Sequence, residues 1–414
     1  MTTVIQGQGM AVYANSAACP AETPYGDRRA SVLNAAGFDA AEKEITQWPG
    51  YAPTPMHELP GLAAELGIET LFYKDESTRF TLKSFKALGG AYAVFRLIQQ
   101  AIAKAHGTDV PNGYLATPAD VLSGKYRHIV SQLTVTCATD GNHGRSVAWG
   151  AQTFGCHCVI YVHATVSQGR ADAIAAFGAE VIRVAGNYDA SVRHAAEQAD
   201  RHGWTVVSDT TYEGYRDIPI DVMHGYGVMS REMIRQLDFK PPTHVIVQAG
   251  VGAFASSVCA AFWQQWGSQR PRFIVVEPTE AACLFESGLA GHPVVVDGDL
   301  DTVMAGLACG EVSPVAWEIL AGGTNDFAKL DDAYALEGMR RFANPVAGDP
   351  AIVSGETGTT GLGLLLAAKK TQAVWRALGL NHDSKVLILG SEGDTDPQIY
   401  QQVVGRAAND VMAS

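Results

Sequence analysis

Leu133-Thr134-Val135-Thr136-Cys137-Ala138 runs into Thr139-Asp140-Gly141-Asn142-His143-Gly144 and then into a helical stretch over 145–154. The order is a β-rich run, a glycine turn and a helix, and the unit repeats. Residues 158–162 lead to a helix over 168–177, residues 179–184 lead to a helix over 188–202, and residues 204–207 close the series. A second series opens at His244-Val245-Ile246-Val247-Gln248 and turns through Ala249-Gly250-Val251-Gly252-Ala253 into another helix. It continues with a strand over 273–276, crosses a region rich in turn formers, and ends with a strand over 385–389 followed by Gly390-Ser391-Glu392-Gly393-Asp394. Strands alternating with helices of about ten to fifteen residues predict an α/β fold of two open, mostly parallel sheets covered by helices on both faces. Such sheets bind ligands at the carboxyl ends of their strands, where three of these glycine turns lie, so the active site is expected between the two blocks. Residues 108–126, with Pro111, Asn112, Gly113, Pro118 and Gly124, read as a surface insertion.

The bulk composition limits the function classes. A chain of 414 residues, 47% of them hydrophobic, is long enough for two or three domains with a large core. Thirty Lys+Arg against 43 Asp+Glu give a net charge of −13, with the acidic residues spread along the chain, which is not the footprint of a nucleic-acid binder. Residues 1–9 lack a basic start followed by an apolar stretch, and no segment approaches the roughly 20 apolar residues of a membrane span. These features predict a cytoplasmic protein without membrane or nucleic-acid partners. Seven scattered cysteines predict free thiols and not a disulfide framework, and spacing alone leaves a pairing of Cys283 with Cys309 open. Cys156-His157-Cys158 has no second ligand pair at a matching spacing, so no metal site is expected.

Single motifs leave alternatives open. Gly250-Val251-Gly252-Ala253 at a strand-to-helix junction suits a phosphate, because small residues let backbone N–H groups approach an anion, and it equally suits a tight turn that needs glycine. A dinucleotide fingerprint wants a third glycine, which Ala255 replaces here; although Glu277 follows the next strand, a nicotinamide oxidoreductase is disfavoured. Lys86, in Ser84-Phe85-Lys86-Ala87-Leu88-Gly89-Gly90, is either a solvated lysine on a first helical turn or a lysine held for covalent chemistry. Lys83 is its local rival at a spacing of three.

Taken in order, Ser84-Phe85-Lys86, the turn at 140–144, the 250–253 loop and Gly390-Ser391 resemble the fold-type II pyridoxal-phosphate enzymes, the group of threonine dehydratase, threonine synthase and the tryptophan synthase β-chain. The resemblance spans residues 73–397. The strings Thr139-Asp140-Gly141-Asn142-His143-Gly144-Arg145, Asp209-Thr210 with Glu213-Gly214-Tyr215, Gly306-Leu307-Ala308-Cys309-Gly310-Glu311 and Ser391-Glu392-Gly393-Asp394-Thr395-Asp396 are similar, more narrowly, to the diaminopropionate ammonia-lyase family. That family converts 2,3-diaminopropionate to pyruvate and two ammonia molecules. The resemblance implies pyridoxal 5'-phosphate as cofactor, a small amino acid as substrate and a homodimer. It also implies a large cofactor domain formed by residues 1–90 and 206–414, with a small α/β domain over 91–205.

The implied roles follow residue by residue. Lys86 matches the Schiff-base lysine, with Phe85 beside the cofactor; Gly250, Val251, Gly252 and Ala253 match the phosphate loop, Asn142 the residue facing the ring oxygen, and Ser391 the hydroxyl facing the pyridine nitrogen. A hydroxyl there leaves the ring nitrogen largely unprotonated, which suits β-elimination. Serine is also a common turn residue. Asp140 stands where dehydratases carry serine, and a carboxylate suits an ammonium leaving group or removal of the α-proton from the face opposite Lys86. It also suits a helix N-cap. Asp209 matches the family's second aspartate, for substrate recognition and proton transfer, or it is a strand-end turn residue. The implied events are an internal aldimine at Lys86, exchange with substrate, α-proton removal, loss of the β-ammonia to an aminoacrylate, and hydrolysis. A serine or threonine dehydratase on the same fold is the alternative, and a nicotinamide oxidoreductase and a non-catalytic cofactor-carrying module are the more distant ones.

Overall fold

The computed structural model describes residues 3–107, 116–139, 141–186 and 188–413, the side chain of residue 189 excepted. Two compact units divide the chain: a larger one of Met1–Ala35, Pro53–Ser84 and Met229–Ser414, and a smaller one of Ala36–Ala52 and Phe85–Val228.

In chain order the strands are β1 Val4–Gly7, β2 Met10–Ala14, β3 Met56–Glu58, β4 Thr70–Asp75, β5 Thr134–Thr139, β6 His157–His163, β7 Glu180–Val184, β8 Thr205–Val206, β9 His244–Gln248, β10 Arg272–Pro278, β11 Asp326–Leu330 and β12 Lys385–Gly390. The larger unit holds an eight-stranded sheet in the order β1-β2-β11-β10-β9-β12-β4-β3. Its centre, β11-β10-β9-β12-β4, is parallel throughout. The edges are antiparallel, where β1 pairs β2, β2 pairs β11 and β3 pairs β4. Every residue of β9 is buried, as expected of a parallel strand covered on both faces. The helix Thr360–Lys370 lies against this sheet, with Leu362, Leu364 and Leu365 fully buried in the same apolar cluster as Ile246, Ile274 and Ile388. At roughly 1.5–3 kcal/mol for each fully buried large apolar side chain, this layer is the main source of the unit's cohesion.

The turn-rich reading of the stretch between β10 and β12 does not survive. It contains β11 and the helices Cys283–Ala290, Pro314–Gly323, Asp332–Ala343, Thr360–Lys370 and Gln372–Ala377. Thr360–Lys370 is apolar nearly all round, so it carries no amphipathic period to mark it.

The smaller unit holds a four-stranded parallel sheet in the order β7-β6-β5-β8. Lys86–Ala105 packs on Asn142–Phe154, and glycines set how closely. A Cβ on Gly90 would come within 2.5 Å of Ser146 Oγ, and one on Gly150 within 2.7 Å of Ala91 Cα. Gly89-Gly90 therefore serves helix packing. Residues 36–52 join this unit because Trp48 packs edge-on against Phe95, Trp149 and Phe154, and Phe38 against His224. Of the segment read as a surface insertion, residues 108–115, including Pro111, Asn112 and Gly113, lie outside the described residues. The remainder is not a surface loop. Thr117 caps the helix Pro118–Leu122 through a reciprocal capping box with Asp120, and Ala116, Val121 and Tyr126 are buried.

Candidate active site

In the larger unit β4, β12 and β9 are parallel neighbours, so their carboxyl ends deliver three turns to one edge of the sheet. After β9, Gly252 takes φ 94°, a left-handed conformation that favours glycine, and it precedes the helix Ala253–Trp266 with no side chain capping it. That leaves the positive end of the helix open to an anion. A Cβ on Gly250 would stand 2.9 Å from Cys309 Sγ, so no side chain fits at that position without displacing its neighbour. The Cys283 thiol points at the Gly250 carbonyl oxygen at 3.6 Å, and Cys283 and Cys309 are both free thiols.

After β12 comes Ser391, 2% exposed, whose Oγ has no hydrogen-bond partner among the described residues; the buried Oγ1 of Thr357 is in the same condition. Leaving a buried hydroxyl unpaired costs about 1–3 kcal/mol, so both hydroxyls could still take a hydrogen bond from or give one to a ligand.

The turn after β4 is anchored by buried charges. Arg79 donates to both carboxylate oxygens of Glu76 and to both of Glu232, Lys74 Nζ donates to Glu232 Oε2 at 2.7 Å, and all four side chains are at most 1% exposed. From this anchor the chain passes through left-handed Phe80, Thr81 and Lys83, at φ 47°, 62° and 60°. None of the three is glycine, so the run is strained. Lys83 ends it with its carbonyl accepting from Gly393 N–H at 2.9 Å and its Nζ paired with Asp394 at 2.8 Å.

In the smaller unit Lys86 opens the helix Lys86–Ala105, and its Nζ forms an ion pair with Asp209 Oδ2. The amine lies 5.6 Å from the ring centroid of Phe85 and 5.8 Å from that of Tyr226. Burial pushes the Asp209 carboxyl up, but the charges of Lys86 and His143 and the hydrogen bonds from Lys86 and the backbone outweigh it. The carboxyl therefore sits well below the ordinary carboxylate range. His143 stands behind the pair, with Nδ1 3.9 Å from Asp209 Oδ2 and Nε2–H donating to the Val207 carbonyl at 2.8 Å. Asn142 is the first residue of its helix, and Thr139 Oγ1 shapes the approach by accepting from Gly141 N–H and Gly144 N–H, both at 3.1 Å. Asp140 lies outside the described residues.

Lys86, Phe85 and Asp209 are thus brought together in one unit, and the 250–253 turn and Ser391 share one sheet edge in the other. Reading the sequence missed Tyr226 and Thr357, and it gave His143 no role. Only His143 had a signal, its place beside Asn142 in the turn. Glu277, the acidic residue weighed in the dinucleotide comparison, instead accepts from Leu284 N–H and Phe285 N–H at 2.8 and 2.7 Å and so caps the helix Cys283–Ala290. Among the described residues no group of three or more His, Cys, Asp and Glu side chains is arranged to hold a metal ion, and no helix is long and apolar enough to cross a membrane.

Comparison with known proteins bears on the family and the fold. The family model of the pyridoxal-phosphate dependent enzymes matches residues 47–373. Diaminopropionate ammonia-lyase of Escherichia coli (strain K12) is 42% identical over 364 residues, covering 86% of this chain and 88% of that relative. The crystal structure of the selenomethionine-incorporated holo enzyme from Escherichia coli superposes with a TM-score of 0.85 at 37% identity, covering 97% of this chain and 98% of that one. The same enzyme in complex with an aminoacrylate-PLP azomethine reaction intermediate gives a TM-score of 0.83 at 37% identity, with the same coverage. The chain belongs to the pyridoxal-phosphate dependent enzymes and, among them, to the diaminopropionate ammonia-lyase family.

Proposed function

We propose that the chain converts 2,3-diaminopropionate and water to pyruvate and two ammonia molecules, with pyridoxal 5'-phosphate as cofactor. The observation that carries the reading is the partly buried Lys86–Asp209 pair, an amine held beside a carboxylate at the start of a helix. The residues present fit the cofactor. The uncapped helix behind Gly252 suits the phosphate, and the unpartnered hydroxyl of Ser391 suits the pyridine nitrogen. When bound, the cofactor supplies a carbonyl that condenses with amines and a ring that draws electrons from the substrate's Cα.

The chain's own residues supply the rest. Lys86 holds the cofactor and, once released, its Nζ takes the α-proton from one face. Asp209 pairs with that amine in the cofactor-free chain and would face the substrate's ammonium once Lys86 is displaced, which leaves the lysine free to lose its proton and act as base. Asp140 binds the β-ammonium that leaves, or removes the α-proton from the opposite face. Asn142 would face the ring oxygen, Phe85 would flank the ring, and the backbone N–H groups of Gly250, Val251, Gly252 and Ala253 would take the phosphate. Ser391 stays neutral and so leaves the ring nitrogen largely unprotonated. The working form is a homodimer in the cytoplasm, with residues 1–90 and 206–414 as its cofactor domain.

Borohydride reduction of the purified holoenzyme tests the assignment. The cofactor's visible absorbance is expected to disappear, with the label on the Lys86 peptide. A label on the Lys83 peptide, or no bound cofactor, refutes it. A coupled pyruvate assay with D- and L-diaminopropionate and with serine then tests the substrate, and faster turnover of serine identifies a dehydratase.

A further inference from the structure

The loop that carries Asp209 has little regular structure of its own. β8 ends at Val206, and Val207 N–H still reaches Thr136 O at 2.8 Å. Beyond that, side chains hold the loop. The Tyr215 hydroxyl accepts from Ser208 N–H and donates to the Val206 carbonyl, both at 2.9 Å. From the other side His143 Nε2–H takes the Val207 carbonyl. Two side chains therefore fix the three residues immediately before Asp209. Tyr215 is itself held: its N–H donates to Tyr212 O at 3.0 Å, Tyr212 N–H donates to Tyr215 O at 3.2 Å, and the rings stack at 4.8 Å between centroids and 14° between planes. Only a neutral phenol can donate and accept at once. Burial pushes the Tyr215 hydroxyl up and so keeps its proton on.

We propose that Tyr215, steadied by Tyr212, is a positioning residue that sets the Asp209 carboxylate against Lys86 Nζ and thereby fixes how strongly that amine holds its charge. The proposal rests on reading Lys86 as the cofactor lysine and Asp209 as its partner. Among the described residues the titratable groups that face Asp209 are Lys86, His143, Cys137, Tyr215 and Tyr226; Lys86 pairs with it directly and His143 Nδ1 stands 3.9 Å from it. Withdrawing a carboxylate by about 1–2 Å from a cation, at the effective dielectric of a protein site, lowers the cation's pKa by roughly one unit.

The test compares the native protein with Tyr215→Phe, Asp209→Asn and the double variant. Two readouts are taken: the pH midpoint of the holoenzyme's long-wavelength cofactor absorbance, and, in cofactor-free protein, the pH midpoint for acetylation of the Lys86 peptide by acetic anhydride. Y215F is expected to move both midpoints down by about one unit and kcat down by about ten- to a hundredfold, with KM changed little. D209N moves the midpoints further, and the double variant goes no further than D209N. Unchanged midpoints in Y215F, or shifts that add in the double variant, overturn the proposal while leaving the lysine assignment intact. Unchanged midpoints in D209N overturn the Lys86–Asp209 reading and the proposal with it. If Y215F does not accumulate as folded protein, Tyr212→Leu decides, since Tyr212 is 53% exposed. A downward shift then supports the proposal, and no shift overturns it.

Discussion

Glu232→Gln changes one buried atom type in the cluster that anchors the turn after β4, and the structure sets its cost. The cluster holds two cations, Lys74 and Arg79, and two anions, Glu76 and Glu232, so its charges balance. Glu232 Oε2 accepts from Lys74 Nζ at 2.7 Å, from Arg79 Nη2 at 2.8 Å and from Thr54 N–H at 3.2 Å, while Oε1 accepts from Arg79 Nη1 at 2.8 Å. Glutamine keeps the shape but offers one oxygen, so either orientation turns an NH2 toward a guanidinium N–H and leaves a buried positive charge uncompensated. Breaking such a pair costs about 3–5 kcal/mol. A second route gives a similar figure. Burial alone raises the Glu232 carboxyl, but the Arg79 charge and hydrogen bonds, then those of Lys74, bring it from 4.5 down to about 2. A depression of that size contributes about 3 kcal/mol, complete above pH 4.5 and lost as pH falls toward 2. The side chain is 0% exposed, so solvent screening does not reduce the figure. Lys74 is the weaker cation, because burial pulls its amine down and the carboxylates only partly offset this. Scanning calorimetry is the assay, since two units need not unfold together. The transition of the larger unit is expected to fall by roughly 10 °C in E232Q. The double variant Lys74→Met/Glu232→Leu, which leaves Arg79 balanced by Glu76, is expected to recover most of that loss. An E232Q transition within about 1 °C of native, or a double variant worse than the single, refutes the charge argument.

Three further outcomes are expected. Gly250→Val drives a side chain into Cys309, which is expected to lower the melting of the cofactor-free protein as well as to weaken cofactor retention on dialysis by tenfold or more; a folded variant with equal retention counts against the phosphate loop. Asp140→Ser is expected to lower turnover of diaminopropionate far more than that of serine, and equal losses in the coupled pyruvate assay count against a leaving-group role. Burial lowers His224 and His244 to about 4, each with a nearby arginine adding to the effect, Arg96 for His224 and Arg272 for His244. A base whose folded pKa is depressed stabilises the fold fully above pH 6.5 and loses that contribution as pH falls to 4, so denaturant midpoints are expected to drop across this window by the equivalent of about 3 kcal/mol for each histidine. His244→Gln keeps a donor for the Leu378 carbonyl, and flattening of the pH dependence in that variant is the check.

Strands β6, β9, β10 and β12 were readable because burial on both faces writes them as largely apolar runs. β9 is observed as read, at His244–Gln248, and β5, β6, β7, β8, β10 and β12 lie within two residues of their expected ends. The hairpin at one edge of the larger sheet was not readable, and neither were two strands of its parallel centre, β4 and β11. β1 and β2 form a short hairpin, and β11, Asp-Phe-Ala-Lys-Leu, has no β-branched residue; their pairing comes from tertiary contact, which local sequence does not encode. The same division holds at the candidate site. Lys86, Gly250 and Ser391 stand in strings whose residue types are set by local geometry, a helix start, a glycine turn and a strand end. Tyr226 and Thr357 matter through side-chain placement across sequence separations that spacing cannot reveal. Lys83 shows the difference most directly. As a string it rivals Lys86, but in the structure it is committed to Asp394 and Gly393 at the end of a strained run, while Lys86 faces Asp209, from which His143 Nδ1 stands 3.9 Å. Choosing between two lysines three positions apart is therefore a question of which counter-ion each can reach, and that is decided by the loops after β12 and β8.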